Sequence, residues 1–232
     1  VKISDSGWLK KRLFIWGDIV GKKVVHRETK KIKIPLLLNI LHKISNILVY
    51  RPLLDRIGCS RFKSAFTGGH PISPDVILFF RAIGLNLKQC YGLTEAGGIF
   101  QVQPDKEVKL ETVGTPLPLT EVKIAEDQEV LVKSEANFPG YHNDYQATQN
   151  AFDDGWLKTG DLGYLDNDGF LYLNGRKTDI IKCAGERISS LEIEAILLRH
   201  SEVEEAAVIG RTDSLMGEII HAYIVPGRAS LK

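Results

Sequence analysis

A carboxylate and a guanidinium lie between the glycines of the stretch 154–194, DGWLKTGDLGYLDNDGFLYLNGRKTDIIKCAGERISSLEIE. They are Asp161 and Arg176, and both could face one polar ligand. The backbone around them bends repeatedly and can approach a ligand closely, because glycines punctuate it at Gly155, Gly160, Gly163, Gly169, Gly175 and Gly185. The pattern predicts the floor and hinge of a nucleotide site.

Polar turns also follow two predicted strands earlier in the chain. Residues 62–66 read as a short buried strand that ends in the turn 67–69, and LNLKQCYGLTEAGG repeats the arrangement. Between them a helix is predicted, with Ser73 as its N-cap and Pro74 in its first turn. Two successive strand ends with polar turns favour a ligand crevice at the carboxyl edge of a sheet. Neither turn matches a dinucleotide fingerprint or a Walker phosphate loop.

The elements that must position these residues form a mixed αβ chain. Residues 7–31 predict a basic helix with a solvated face. Residues 34–58 have apolar side chains at helical spacing, for which core packing is expected: Leu37, Ile40, Leu41, Ile44, Ile47 and Leu48. Hairpins are predicted for 121–133, by alternation, and for 163–176, by the turn 167–169. Beyond 179 we expect strand, turn, helix, strand and strand, with Ser189 and Glu192 as a capping box.

Composition narrows the class of protein. The 232 residues are 44% hydrophobic and 25% charged with a net charge of +1, as in soluble globular proteins, and predict no nucleic-acid partner. The three cysteines are widely spaced, which favours a reducing, cytoplasmic compartment over a disulfide framework. Both ends of the chain look cut, so we expect a piece of a longer protein.

Four motifs in order resemble one family. They are TGGHP (67–71), YGLTE (91–95), GWLKTGD (155–161) and GRKTDIIKCAGERISSLEIE (175–194). Together they resemble the adenylate-forming superfamily of acyl-CoA synthetases, luciferases and peptide-synthetase adenylation domains. LFIWGDIVGKK and FFRAIGLNLKQCYGLTE look most like long-chain fatty acid–CoA ligases. The resemblance runs through nearly the whole chain.

The resemblance implies a ligase that uses ATP, Mg²⁺, CoA and a fatty acid. ATP and the carboxylate would give an acyl-adenylate and pyrophosphate, and the CoA thiol would then displace AMP. Asp161 would bind the ribose diol, since its two oxygens can accept from adjacent hydroxyls. Arg176 would contact the ribose or the phosphate. Thr94 and Glu95 would be the catalytic residues, with the hydroxyl of Thr94 meeting the α-phosphate and Glu95 holding Mg²⁺.

The resemblance also assigns contacts with adenine. Gly68, Gly69 and His70 would lie against adenine, Tyr91 would stack on its other face, and Gly92 belongs to the same nucleotide-binding set.

For thioester formation, the loop from Lys182 through Gly185 to Glu186 would enter the site. The small C-terminal domain of the family rotates about a residue that matches Thr178, where aspartate or lysine is more usual.

The implied organisation is a partial large AMP-binding domain with a β-rich subdomain, residues 1–177, followed by an incomplete small α+β lid domain, residues 178–232. The phosphate-gripping loop and the C-terminal lysine of the family do not occur in these 232 residues. Without their electrostatic stabilisation we expect this piece to be nearly inactive.

Alternatives stay open at this point. The acid could be an aryl or amino acid loaded onto a carrier protein. The chain could instead be a non-catalytic nucleotide-binding module. Residues 35–50 leave a peripheral membrane contact or an acyl-chain wall as a further alternative to core packing.

Overall fold

The computed structural model describes residues 7–70, 72–105, 107–200, 202–213 and 215–227. The chain divides into two compact units. The first contains the residues up to Gly92 together with Ile99–Thr115, and the second contains Leu93–Gly98 together with the residues from Pro116 onward.

Helices dominate the start of the first unit. They are α1 (Trp8–Thr29), α2 (Leu36–Ser45), a π-helical turn (Asn46–Tyr50), α3 (Arg51–Arg56) and α4 (Pro74–Ala82). The predicted start of α4 is confirmed: Ser73 Oγ accepts from the Asp75 N–H at 3.3 Å, and Pro74 occupies the first turn. In the described part of the chain, no helix combines the length and the apolar character that a membrane span requires.

The prediction that the apolar stripe of residues 37–48 packs in the core is wrong. Five of its six side chains are between 41% and 70% exposed, and Leu41 is half-buried. The core here is instead built partly from Val49 and Tyr50, the two buried residues at the end of the π-helical turn. This core contains Val49, Tyr50, Leu54, Ile83 and Leu85. Helical spacing predicted the helix correctly but not which side is covered.

A sheet with strand order β1-β2-β3-β4 belongs mainly to the first unit. Its strands are β1 (Ala65–Thr67), β2 (Leu87–Leu93), β3 (Gly98–Val102) and β4 (Thr115–Pro116). β1 and β2 are parallel with Thr67 opposite Gln89, so their carboxyl ends meet at one edge, as predicted. The first strand begins three residues later than predicted. Phe66 is 56% exposed rather than buried, because β1 is a short edge strand with one outward face.

The second unit contains an antiparallel sheet with the order β5-β6-β8-β7, in which β9 also pairs with β8. Its elements are β5 (Thr120–Ile124), β6 (Glu129–Ser134), α5 (Tyr145–Ala151), β7 (Phe152–Asp153), β8 (Trp156–Leu165) and β9 (Leu171–Arg176). Both predicted hairpins are confirmed by the pairing of β5 with β6 and of β8 with β9. Leu157, Phe170 and Leu171 are at most 2% exposed and anchor this sheet.

The chain then forms another antiparallel sheet, with the order β11-β10-β13-β12. Its elements are β10 (Ile180–Cys183), β11 (Glu186–Ser189), α6 (Ser190–Leu197), β12 (Val203–Asp213) and β13 (Gly217–Pro226). The predicted order of elements is confirmed, with β11 added. The capping box is wrong, since Ser189 precedes α6 but its side chain makes no capping hydrogen bond. Ser189 ends β11 opposite Ile180, so strand pairing already fixes its backbone.

Candidate functional site

Asp161 and Arg176 face each other across the β8–β9 hairpin. The strand register pairs the two residues directly, and Arg176 Nε donates to Asp161 Oδ1 at 3.0 Å. The Asp161 side chain is 10% exposed and that of Arg176 is 60% exposed. A nearly buried carboxylate is therefore held beside a solvent-facing guanidinium. This arrangement presents hydrogen-bond acceptors and donors together, as the sequence predicted.

The backbone before Asp161 leaves regular strand geometry. Gly160 has a φ of +73°, a conformation that favours glycine. The Thr159 hydroxyl donates to the carbonyl of Val130 at 2.8 Å and accepts from the Asp161 N–H at 3.1 Å. The TGD motif is thus a kinked segment whose side chain and main chain are tied to β6.

Thr94 and Glu95 lie in a short 3₁₀ turn, Thr94–Ala96, directly after β2. The Glu95 carbonyl accepts from the Phe138 N–H at 2.7 Å. Gly97 ends the turn with a φ of +75°, and a Cβ there would lie 2.5 Å from the Ala136 carbonyl oxygen. This turn is therefore closely fitted to residues 136–138, while the Thr94 side chain is exposed.

Tyr141 is a site residue that the sequence argument missed. Its hydroxyl donates to Glu95 Oε1 at 2.9 Å, and its ring packs edge-to-face on Phe138 with centroids 4.8 Å apart. The hydrogen bond raises the pKa of the Tyr141 phenol, with smaller contributions from burial and from the charge of Glu95. No sequence spacing connects residues 46 apart, so the turn motif FPGY alone gave no sign of this contact.

The Tyr141 titration tests this contact directly. The stability that the bond contributes is full below the ordinary tyrosine pKa of 10.0 and is lost as pH rises through the raised value. Glu95→Gln should therefore lower the Tyr141 pKa in ¹³Cζ-tyrosine NMR titrations. Tyr141→Phe assigns the resonance. An unchanged pKa in Glu95→Gln would show that the carboxylate does not contact the phenol.

Glu95 suits a magnesium ion that is also held by phosphates. Among the described residues, no group of three or more His, Cys, Asp or Glu side chains could hold a metal by itself. Mg²⁺ is commonly bound through one or two carboxylates plus substrate phosphates, so a single carboxylate beside an exposed threonine fits that ion.

The glycine turn of the first unit packs against β2. Cys90 Sγ donates to the Thr67 carbonyl at 3.2 Å, and a Cβ on Gly68 would lie 2.7 Å from that sulfur. Gly69 has a φ of +86°, and His70 is exposed. Pro71, the last residue of the TGGHP motif, lies outside the described residues. Gly68 therefore lies close against Cys90, while Gly69 and His70 face solvent.

Tyr91 and Gly92 end β2. The Tyr91 ring is 8% exposed and packs edge-to-face on Phe100 with centroids 4.8 Å apart. Gly92 is half-buried beside it. Tyr91 thus has a packing role in the first unit, and its stacking on adenine stays a prediction.

Lys182 and Gly185 lie in the β10–β11 hairpin. Both are exposed, Gly185 has a φ of +85°, and the Lys182 N–H donates to Glu218 Oε2 at 2.6 Å. Thr178 lies in the 3₁₀ turn Lys177–Asp179 between β9 and β10, where its hydroxyl contacts Asp179 Oδ1 at 2.8 Å. The CoA and hinge roles of these residues stay predictions.

Comparisons with known proteins agree on one family. The family model described as "AMP-binding enzyme" matches residues 25–142, and the model "AMP-binding enzyme C-terminal domain" matches residues 192–232.

The relatives with similar sequences include two kinds of CoA ligase. A long-chain-fatty-acid–CoA ligase of Mycobacterium bovis is 39% identical over 186 residues, which are 80% of this chain and 31% of that protein. A 2-succinylbenzoate–CoA ligase of Listeria innocua is 38% identical over 192 residues, which are 79% of this chain and 41% of that protein. The chain thus spans about a third to two-fifths of the length of these relatives.

A solved structure supports the same grouping. The o-succinylbenzoate CoA synthetase of Bacillus subtilis, in complex with its acyl-adenylate intermediate, superposes with a TM-score of 0.71 at 35% identity. The match covers 77% of this chain and 40% of that one. Family models, sequence relatives and fold agree, and the chain belongs to the AMP-binding enzyme family of the adenylate-forming superfamily.

Proposed function

We propose that this chain carries the nucleotide-binding part of an ATP-dependent, AMP-forming acid–CoA ligase. One observation carries the proposal: the nearly buried Asp161 carboxylate and the exposed Arg176 guanidinium meet at the end of a hairpin at 3.0 Å. A carboxylate accepts from two adjacent hydroxyls, and a guanidinium donates to hydroxyl or phosphate oxygens. A ribose diol next to a phosphate presents the matching groups.

The turn after β2 would serve the phosphates. The exposed Thr94 hydroxyl can donate to an α-phosphate oxygen, and Glu95, oriented by Tyr141, would hold Mg²⁺. When bound, the ion neutralises phosphate charge. In the first unit, Gly68, Gly69 and His70 would contact adenine.

The complete reaction is proposed for a protein of the relatives' length that contains this chain. There the acid's carboxylate oxygen attacks the α-phosphorus and pyrophosphate leaves. The CoA sulfur then attacks the acyl carbon and AMP leaves. Lys182 and Gly185 would line the CoA side, and Thr178 would be the hinge between residues 1–177 and 178–232. For the 232 residues alone we expect nucleotide binding with little turnover.

The acid is proposed to be a long-chain fatty acid, supported by the 39% identity to a ligase of that name. The 38% identity to 2-succinylbenzoate–CoA ligases supports an aromatic acid as the second candidate. An acid panel in a CoA-thioester assay on the longer protein separates them. Product from palmitate but not from 2-succinylbenzoate is the expected result, and the reverse would overturn the substrate assignment.

Calorimetric titration of the 232-residue chain with AMP and with Mg²⁺–ATP tests the nucleotide site. We expect saturable binding of both nucleotides. Mg²⁺ should raise the affinity for ATP but not for AMP, because the ion neutralises the charge of the longer phosphate chain. Absence of binding to either nucleotide would contradict the proposal for this chain.

A further inference from the structure

A buried carboxylate lies beneath the Asp161–Arg176 pair. Glu129 begins β6, and its side chain is only 6% exposed. Its Oε1 accepts from the Gly160 N–H at 2.8 Å, and its Oε2 accepts from Lys177 Nζ at 2.6 Å. A buried carboxylate is costly unless such partners satisfy both oxygens. Glu129 therefore depends on these two contacts.

The two groups that Glu129 binds are chain neighbours of the two proposed nucleotide ligands. Gly160 directly precedes Asp161, and Lys177 directly follows Arg176. Because Asp161 and Arg176 are themselves joined by the 3.0 Å contact, the five residues form a closed ring of covalent and hydrogen bonds. Glu129 thus contacts a chain neighbour of each proposed ligand.

The segment needs such support, because its strand pairing is interrupted. The ladder between β6 and β8 shifts after Glu129, and the ladder between β8 and β9 shifts after Leu162. The Gly160 N–H consequently donates to a side chain rather than to a strand carbonyl. On the β6 side, Asp161 is therefore supported by the contacts of Glu129 and Thr159, while on the β9 side it is paired with Arg176.

A second carboxylate contacts the same Lys177 Nζ. Lys177 Nζ lies 2.6 Å from Asp127 Oδ2, and the Glu129 N–H donates to Asp127 Oδ1 at 3.2 Å. The hydrogen bond from Lys177 lowers the pKa of Asp127. Burial lowers the pKa of Lys177, but its hydrogen bonds to Asp127 and Glu129 outweigh that and raise it. Lys177 and Asp127 therefore stay charged at neutral pH.

We propose that Glu129 and Lys177 are positioning residues that hold Asp161 and Arg176 in the geometry that receives the ribose of the nucleotide. The inference rests on the proposed function, since it assigns the pair to that site. Groups that support a ligand-binding residue without touching the ligand determine how well it is placed.

The first experiment measures the mobility of the Arg176 side chain in the protein without nucleotide. Arg176 Nε–H exchange is followed by ¹⁵N NMR in the wild type, in Lys177→Met, and in the charge-retaining Lys177→Arg. Lys177→Met should speed exchange several-fold, because the end of β9 loses its anchor, and Lys177→Arg should restore slow exchange. The exposed Lys63 provides the matched control Lys63→Met, which should leave the rate unchanged.

The second readout compares AMP with 2′,3′-dideoxy-AMP, which lacks the diol. Lys177→Met should weaken AMP binding about tenfold, by analogy with metal sites, where loss of a contact that supports a ligand costs about 10- to 100-fold. The affinity for the dideoxy nucleotide should fall less, because that nucleotide can lose only a phosphate contact of Arg176, so the variant loses preference for the diol. Lys177→Arg should recover most of that preference.

The outcomes separate the two proposals. Unchanged Arg176 exchange in Lys177→Met, or an equal loss for both nucleotides, would overturn the positioning role. A wild-type chain that binds the two nucleotides equally would instead overturn the ribose role of Asp161. In that case the exchange rates alone still decide whether Lys177 positions the pair.

Discussion

Asp161→Asn should weaken AMP binding to the chain by about 10- to 100-fold, since a hydrogen bond to a charged group contributes about 1.5–3 kcal/mol. The substitution keeps the shape of the side chain but replaces a charged acceptor oxygen by an NH₂ group. That group cannot accept a hydrogen bond, so with either orientation of the amide the ribose diol or the Arg176 Nε–H loses an acceptor. Calorimetry with AMP measures the loss.

A matched control exists in the same hairpin. Asp168 is exposed in the turn between β8 and β9, and Asp168→Asn makes the same chemical change away from the pair. It should bind AMP like the wild type. The ribose assignment fails if Asp161→Asn binds AMP as tightly as Asp168→Asn while retaining a native circular dichroism spectrum.

Gly21→Ala should destabilise the first unit by about 1 kcal/mol, which is the cost of overpacking less the gain in helix propensity. Alanine favours a helix interior over glycine by about 1 kcal/mol, which would stabilise α1. A Cβ at Gly21, however, would collide with the backbone carbonyl of Ala82 and lie 2.8 Å from its carbon. No side-chain rotation relieves a clash with backbone, so α1 and α4 must separate, and overpacking of this kind costs about 1–3 kcal/mol. Urea unfolding followed by circular dichroism measures the net change.

Gly17 is the internal control, one helical turn earlier on α1. A Cβ there would lie 3.2–3.3 Å from side-chain atoms of Val49 and Tyr50, which can move slightly. Gly17→Ala should therefore change stability little, because the helix-propensity gain offsets the tighter packing. Equal urea midpoints for Gly17→Ala and Gly21→Ala would contradict the close approach of α1 to α4.

Local chemistry explains what the sequence predicted well. The turn 167–169 sets the hairpin register as far as Gly163 opposite Leu173, because a short turn limits the strand register. The shift of one residue between Leu162 and Gly163 then brings Asp161 opposite Arg176. Ser73 and Pro74 likewise begin α4 through contacts within three residues. Features of this kind need only neighbours in the chain, so residue type and spacing determine them.

Burial and long-range pairing needed the tertiary structure. Helical spacing in residues 37–48 places apolar side chains on one face, but whether that face is covered depends on what packs there. From the sequence alone, Gly21 is only a residue of low helix propensity, and the structure shows that the Ala82 backbone of α4 packs against it. The capping box at Ser189 was lost for a similar reason, since strand pairing with Ile180 took precedence.

By itself, the sequence determined the family, through four ordered motifs, and the residues proposed to touch the nucleotide. Only the tertiary structure showed what holds those residues: Tyr141 on Glu95, and Glu129 with Lys177 around Asp161 and Arg176. The two hydrogen bonds span 46 and 48 residues. Contacts at such separations follow from how sheets and turns pack together, and no periodicity or local spacing encodes them.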